Sequence, residues 1–431
     1  PNFGNNFEKL THRQSHFLDS HSAFQSQSND SFIIALLEIC SFKQYIRSSM
    51  DFVSNAISAA TRRIWLKALE WTCQIDIHTS CQNGWPNLVE MLLAVDGFQV
   101  NQGRYGRTPL CDACQNGHSK VVEILLAVDG ILVNQANNIG RTPLNNACWE
   151  GHLKVVNMLL AVDGIQVNQA DEDGWTPLNT ACWEGHLKVV EMLLAADGIQ
   201  VNQANEDGFT PLSTACEKDH SKVVKLLLAV DGIQVNQANN NGFTPLLIAC
   251  YGDHLKVVDM LLAVDGIQVN QAGNNGWTPL NAACEKGHSK VVEMLLAVDG
   301  IQVNQVNDDG WTPLLFACYG DHLKVVDMLL AVDDIQVNQT SNNGWTPFNA
   351  ACGKGHSAVV RMLLAVDGIQ VNQAQENGWT PLNNACKNGH SKVVKMLLAL
   401  AGIQVNQAQE NGCTPLLFAC YGDHLKVVDM L

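Results

Sequence analysis

From residue 74 onward, apolar and polar positions alternate in a fixed order that one stretch is enough to display. In Trp277–Gly310, WTPLNAACEKGHSKVVEMLLAVDGIQVNQVNDDG, the side chains Leu280, Ala283 and Cys284 fall at i, i+3 and i+4, the spacing of one face of a helix. Thr278 supplies an N-cap oxygen, and Pro279 suits the first helical position, where a missing N–H costs nothing. The pattern predicts a short helix with one apolar face, ended at Gly287 by a left-handed residue. A second helix follows, with Val291, Val292, Leu295 and Leu296 on its buried side. Asp299-Gly300 turns the chain, Ile301 and Val303 predict a brief extended segment, and Asn307-Asp308-Asp309-Gly310 forms the next tight turn.

The same sentence is repeated along the chain. Thr-Pro recurs at Thr108, Thr142, Thr176, Thr210, Thr244, Thr278, Thr312, Thr346, Thr380 and Thr414, a strict spacing of 34 residues that marks a repeat array. Nine regular units begin at Arg107, Arg141, Trp175, Phe209, Phe243, Trp277, Trp311, Trp345 and Trp379, and a last one begins at Cys413 and is truncated. The first unit, about 74–106, is degenerate, as expected of a terminal repeat with one neighbour. Residues 1–30, rich in Asn, Ser, Gln and His, are expected to be disordered. Apolar clusters over 31–73 predict a helical cap on the array or the remnant of an upstream domain. The sequence reads as a piece of a longer chain. Helices of two or three turns are marginal alone in water, so a single unit cannot stand by itself and the array over 74–431 must be held by contacts between units.

Charge narrows the partners. A net charge of -16 argues against nucleic acid or an anionic membrane, since both require a concentrated basic face. The most apolar early run, Phe32 to Cys40, is too short to span a bilayer and contains Glu38, so no membrane insertion is expected. Of fifteen cysteines, ten occupy one repeat position, from Cys114 to Cys420. Neighbouring helices lie roughly 8 to 10 Å apart, beyond the Cα separation of about 7 Å that a disulfide tolerates. A reducing, intracellular home follows, the cytoplasm first and the nucleus second.

Gly276-x-Thr278-Pro279-Leu280, Ala283, Gly287-His288, Val291-Val292, Leu295-Leu296 and Val303-Asn304 together resemble the ankyrin repeat, over residues 74–431. The resemblance implies an all-α solenoid of stacked helix-turn-helix units with projecting hairpin-like loops, and a role in binding other proteins. Three departures stand out. The family's His after Thr-Pro-Leu is Asn at Asn145, Asn179, Asn281, Asn349 and Asn383, Ser at Ser213, Cys at Cys111, and Leu at Leu247, Leu315 and Leu417; Asn and Ser are expected to keep a polar link to the neighbouring loop, and Leu is not. Each unit carries one residue more than the commonest form, near Ala-Val-Asp-Gly-Ile. Asp219, Asp253, Asp321 and Asp423 replace the helix-ending Gly, and the preceding Gly252, Gly320 and Gly422 are expected to share the strain.

The tempting chemistry is Cys-x-x-x-His, as in Cys284 and His288. Zinc requires four ligands, and each unit offers two; the bland reading makes Cys the small buried residue of the first helix and His part of the turn. Ten equivalent copies with no distinct third group do not describe an active site. No metal, cofactor or small-molecule substrate is expected, and the chain reads as a non-enzyme. What varies between units is more informative. Before Thr-Pro stand Arg107, Arg141, Trp175, Phe209, Phe243, Trp277, Trp311, Trp345 and Trp379; at the end of the first helix stand Trp149, Trp183, Tyr251, Tyr319 and Tyr421, and Phe316 lies within it. The resemblance places both sets toward the concave binding side, and aromatic residues and Arg concentrate binding energy at interfaces. Two readings stay open, packing on adjacent loops or a strip that binds a protein partner, with stacking on a glycan or single-stranded nucleic acid a minor third. The expected function is a protein-interaction scaffold; the alternative is the targeting arm of a larger enzyme or channel.

Overall fold

The computed structural model describes residues 76–431 except 96, 97 and 105, so the expectations for 1–30 and 31–73 lie outside the described residues. The described residues fall into two compact units, 76–80 with Trp85–Gln99, and Cys81–Gly84 with Val100–Leu431. In the degenerate first repeat the cap has moved: Asp76 Oδ1 accepts from the Thr79 amide at 2.8 Å, and helix Ile77–Gln82 starts directly after it. Helix Pro86–Leu93 completes that repeat.

From Thr108 on, each repeat is a pair of helices, Pro279–Lys286 and Ser289–Leu296 being typical. Thr278 is extended at φ -95 and ψ 165 and accepts from the Asn281 amide, while Asn281 answers the cap backbone to complete a capping box. The first helix is buried on more than one face: Pro279, Leu280, Asn281, Ala282, Ala283 and Cys284 all lie inside. It is sandwiched between the first helices of neighbouring repeats, which the apolar spacing alone did not convey. The second helix buries Val291, Val292 and Leu295 only, with Lys290 and Glu293 outside. Among the described residues no strand forms, and Arg104 and Arg107 make an isolated bridge. The extended segment expected at Ile301 and Val303 is a turn instead, closed by the Gln305 amide on the Gln302 carbonyl at 3.3 Å.

Polar bonds tie each repeat to the next at three levels. At the turn between helices, the Nε2–H of each histidine donates to a carbonyl of the preceding repeat, as His288 to Tyr251 at 3.0 Å and His322 to Glu285 at 2.8 Å; the same bond occurs in ten repeats, from His118 to His424. Beyond the second helix, one asparagine per repeat clasps the following turn. Asn270 donates to the Gly300 carbonyl and accepts from the Gln302 amide, both at 2.9 Å. At the loop tips backbone meets backbone, the Asp308 amide on the Asn275 carbonyl at 3.0 Å.

The position after Thr-Pro-Leu behaves as its chemistry dictates, with one exception. Asn281 donates to the Gln305 carbonyl of its own loop at 3.2 Å and to the Trp311 carbonyl of the next repeat at 3.3 Å, and Asn349 reaches Gln373 of its own loop at 2.9 Å. Leu247 and Leu315 are buried without such a link. Ser213 departs from the expectation: its hydroxyl is too short to cross and donates to the Thr210 carbonyl of its own repeat at 3.1 Å.

Gly287 shows why the helix ends as it does. It sits at φ +73, and a Cβ there would collide with the His322 ring at Nδ1. Where Asp takes this place it adopts the left-handed conformation itself, at φ 59 in Asp253. Its carboxylate then lies 3.8 Å from His288 Nδ1; Asp219 and Asp321 stand in the same relation to His254 and His356. The preceding glycine does not share the strain, since Gly252 is right-handed at φ -85. Its lack of a Cβ instead clears the His254 ring, whose Nε2 such an atom would strike.

Nine of the ten repeat cysteines complete the core. Cys114 to Cys386 are fully buried, while Cys420 in the last repeat is exposed, and no described cysteine is in a disulfide. Burial pushes these thiols up, that of Cys386 to about 12 and those of Cys148, Cys182 and Cys250 further, so the native chain holds neutral thiols. Among the described residues no helix is long and apolar enough to cross a membrane.

Two outcomes are expected. Gly287→Ala combines left-handed strain with a clash on His322, whereas Gly300→Ala, at φ +80 with open space around it, meets strain alone. Urea unfolding should show a loss of about 1 to 2 kcal/mol for Gly300→Ala and about 1 to 3 kcal/mol more for Gly287→Ala; equal losses would remove the ring from the account. The second outcome concerns pH. A buried thiol with a raised pKa favours the native state below the unfolded value of about 8.5, and that contribution is lost as pH rises toward the folded value, at up to about 1.4 kcal/mol per pH unit per thiol. Under reducing conditions the urea midpoint should fall between pH 8.5 and 10.5 less steeply in Cys148→Ala/Cys250→Ala/Cys318→Ala than in the parent, and matching slopes would sink the assignment.

Candidate functional site

The Cys and His that first suggest chemistry are committed to the stack. His288 aims its ring at the Tyr251 carbonyl while Cys284 lies inside the core. Among the described residues no group of three or more His, Cys, Asp and Glu side chains converges as a metal site would require.

The variable residues form the more distinctive surface. Each residue before Thr-Pro is fixed by its own loop tip: the Trp311 amide donates to Asn307 Oδ1 at 2.8 Å and the Asn307 amide to the Trp311 carbonyl at 3.2 Å. Its side chain therefore lies against the ends of first helices. Arg107 Nε pairs with Asp112 at 3.0 Å, beside Gln115. Arg141 Nε bonds Asp171 at 3.2 Å, and its guanidinium covers the Trp149 ring at 4.3 Å. Trp175 meets Trp183 edge to face at 5.2 Å, and the Lys218 ammonium sits 3.4 Å from the Trp183 ring centroid.

Farther along, Phe316 is shared by Trp277 at 4.8 Å and Trp311 at 5.0 Å, and Trp311 meets Tyr319 at 5.1 Å. Trp345 lies half-buried beside Gly353. Trp379 stacks on Phe418 at 4.4 Å and carries Lys387 at 4.6 Å. Phe209, Phe243, Trp277 and Phe316 are under 10% exposed, at 7, 5, 5 and 8%. Trp149, Trp175, Trp183, Tyr251, Trp311, Trp345 and Trp379 are half-buried, and Tyr319 and Tyr421 are exposed.

Charge is uneven along this face. Burial raises the Glu217 carboxyl; Lys218 opposes the rise and Asp207 adds to it. Burial likewise raises Glu184, with His186 and Lys218 opposing and Glu150 reinforcing. The Lys218 ammonium is lowered by burial against the pull of Glu217 and Glu184. Asp171 is raised by burial even though the Trp175 amide and Arg141 hold it.

Sequence reasoning missed the lysines. Lys218, Lys286 and Lys354 each lie over the aromatic that ends the preceding repeat's first helix, Trp183, Tyr251 and Tyr319, at 3.4, 4.5 and 4.1 Å. The signal was present as an aromatic and a lysine 35 residues apart at three successive opportunities, one more than the repeat length.

Comparison with known proteins fits this architecture. The model of the family described as ankyrin repeats (3 copies) matches in overlapping registers from residues 73–137 to 367–431. A search of curated proteins finds no match. Among solved structures, the ankyrin repeat domain of Bcl-3, described as a unique member of the IkappaB protein family, is similar at 27% identity, over 52% of this chain and 99% of that one, with a TM-score of 0.47. With the family model matched throughout 73–431, and with paired helices, capped Thr-Pro starts and repeat-to-repeat bonding in the same register, the chain belongs to the ankyrin repeat family.

Proposed function

We propose that the array is a non-catalytic scaffold that binds a protein partner through its concave face, built from the first-helix ends and the loop tips. The observation that carries this reading is a contrast within the repeat. Positions that build the stack are copied almost unchanged, whereas the two positions that carry Trp, Tyr, Phe and Arg differ from unit to unit and leave rings half-exposed. Such side chains present large, rigid contact area, and they are the types that dominate interface energetics. Phe209, Phe243, Trp277 and Phe316 support the strip from beneath; Trp149, Trp183, Tyr319 and Tyr421 are its accessible part. A net charge of -16 weighs against nucleic acid as the partner. Free buried thiols suit a reducing compartment, the cytoplasm or nucleus.

The test is site-specific photo-crosslinking in cells that express the protein. A photoreactive residue at 183 or 319 should trap a discrete protein partner, and the same residue at 120 or 290, on the outer helices, should not. Truncating Trp183 and Tyr319 together to Ala should then weaken the trapped complex by about 2 kcal/mol or more with little change in the urea midpoint. Unfolding of that variant, or equal crosslinking from both faces, would return these rings to a packing role.

A further inference from the structure

The concave face is not electrically uniform, and its repeats from Thr142 to Thr210 carry two fully acidic loop tips in succession. Two consecutive loop tips there carry Glu172-Asp173 and Glu206-Asp207, all exposed. The tips are bonded to one another, the Glu206 amide donating to the Asp173 carbonyl at 3.0 Å, so the four carboxylates form one edge. The next two tips, Asn240-Asn241 and Asn274-Asn275, carry no charge, and Asp308-Asp309 is a single acidic tip followed again by uncharged Asn342-Asn343. Beside the acidic edge, Glu184 and Glu217 end successive first helices next to Trp183, and Asp207 acts electrostatically on Glu217 across the gap between tip and helix end. Arg141 does not balance this charge, because it is engaged with buried Asp171.

Within the patch one cation shows what the surface accepts. The Lys218 ammonium lies 3.4 Å from the Trp183 ring centroid and 3.8 Å from Glu217 Oε1, combining ring-face attraction with a carboxylate. One lysine against two acidic tips and two acidic helix ends leaves a surplus of negative charge beside half-exposed Trp149, Trp175 and Trp183. Charge surplus next to aromatic faces fits a cationic side chain that can both stack and pair, which Arg does best. Resting on the interaction reading above, we infer that the Thr142–Thr210 part of the face is the docking site for an Arg- and Lys-rich extended segment of a partner protein.

A fluorescein-labelled 15-residue peptide with Arg at every third position and Gly or Ser elsewhere is the probe, titrated by anisotropy against the full chain. An otherwise identical peptide with Glu for Arg is its control. Binding of the Arg peptide alone is expected. Glu172→Gln/Asp173→Asn/Glu206→Gln/Asp207→Asn should weaken it by about tenfold or more, and Trp183→Leu by about threefold or more, the scale of one partly exposed cation–π contact. A matched neutralisation of four exposed acids in the turns after the second helices, Asp129, Asp163, Asp197 and Asp231 to Asn, should leave affinity within about twofold, because it makes the same change in net charge without touching the tips. Equal loss in both quadruple variants overturns the proposal by reducing it to net charge. Failure of the Arg peptide to bind, while the photo-crosslinked partner is still trapped from 183 or 319 in the tip variant, overturns the basic-segment assignment and leaves the concave interface standing. Absence of any crosslink from that face would strike the broader reading instead.

Discussion

The bond from a histidine to a carbonyl of the preceding repeat is the constraint around which each junction is arranged. A first helix of seven or eight residues leaves its last carbonyls without intrahelical partners, and in this chain the next repeat's imidazole supplies the donor, as His322 does for Glu285. Several residue choices follow from that geometry. The helix-ending glycine must clear the ring as well as turn left-handed; where Asp stands there, its carboxylate faces the ring's other nitrogen. The residue whose carbonyl accepts, Tyr251 or Trp183 among others, is thereby fixed in place, and its ring becomes the platform on which the next repeat's lysine rests. A bond that closes the core on one side of the turn therefore orders the surface on the other.

The asparagine clasp acts in the same sense at the far end of the unit. Asn270 satisfies both the Gly300 carbonyl and the Gln302 amide, so a turn one residue longer than the commonest form of the repeat is pinned by its neighbour. Together with Asn281, which caps its own helix and reaches the next repeat, these contacts show why polar residues lie inside a stack whose apolar groups are small. Asn281 bonds carbonyls in two repeats, and separating those units would strand its donor and the Trp311 carbonyl. Cooperativity along the array thus comes from hydrogen bonds as well as apolar area.

Much of this was legible in the sequence, and the remainder has a common cause. Helix starts at Thr-Pro, the glycine stops, the buried Val-Val and Leu positions and the cysteines in the core all follow from local rules within one unit. The histidine's role did not, because its acceptor lies 37 residues away in most repeats and no local rule points there. The burial of Asn281, the short reach of Ser213 and the turn at Val303 likewise depend on what the adjacent repeat presents. Gly252 was misread because its neighbour Asp253 draws attention to backbone strain, while the operative contact is with the ring of His254, which is held by the Glu217 carbonyl of the preceding repeat. Period reveals the unit, and only the stacked units reveal their joints.

These repeat-to-repeat bonds limit where binding information can reside. Inside the repeat, the Thr cap, the Asn and His bridges, the Val-Val and Leu-Leu pairs and the cysteine are each tied to a neighbour, so a change at any of them disturbs two units. The outer helix is free to vary but presents long, solvated Lys and Glu side chains, such as Lys188 and Glu191 in a surface pair, and such pairs contribute little. First-helix ends and loop tips alone combine fixed backbone with tolerance of different side chains. Some of their aromatics pack against a second ring, as at Phe316, while Tyr319 stays exposed although Trp311 and Lys354 lie against it. A row of near-identical repeats can in this way carry unequal chemistry along one face, and here that inequality is sharpest in the contrast between acidic and uncharged tips.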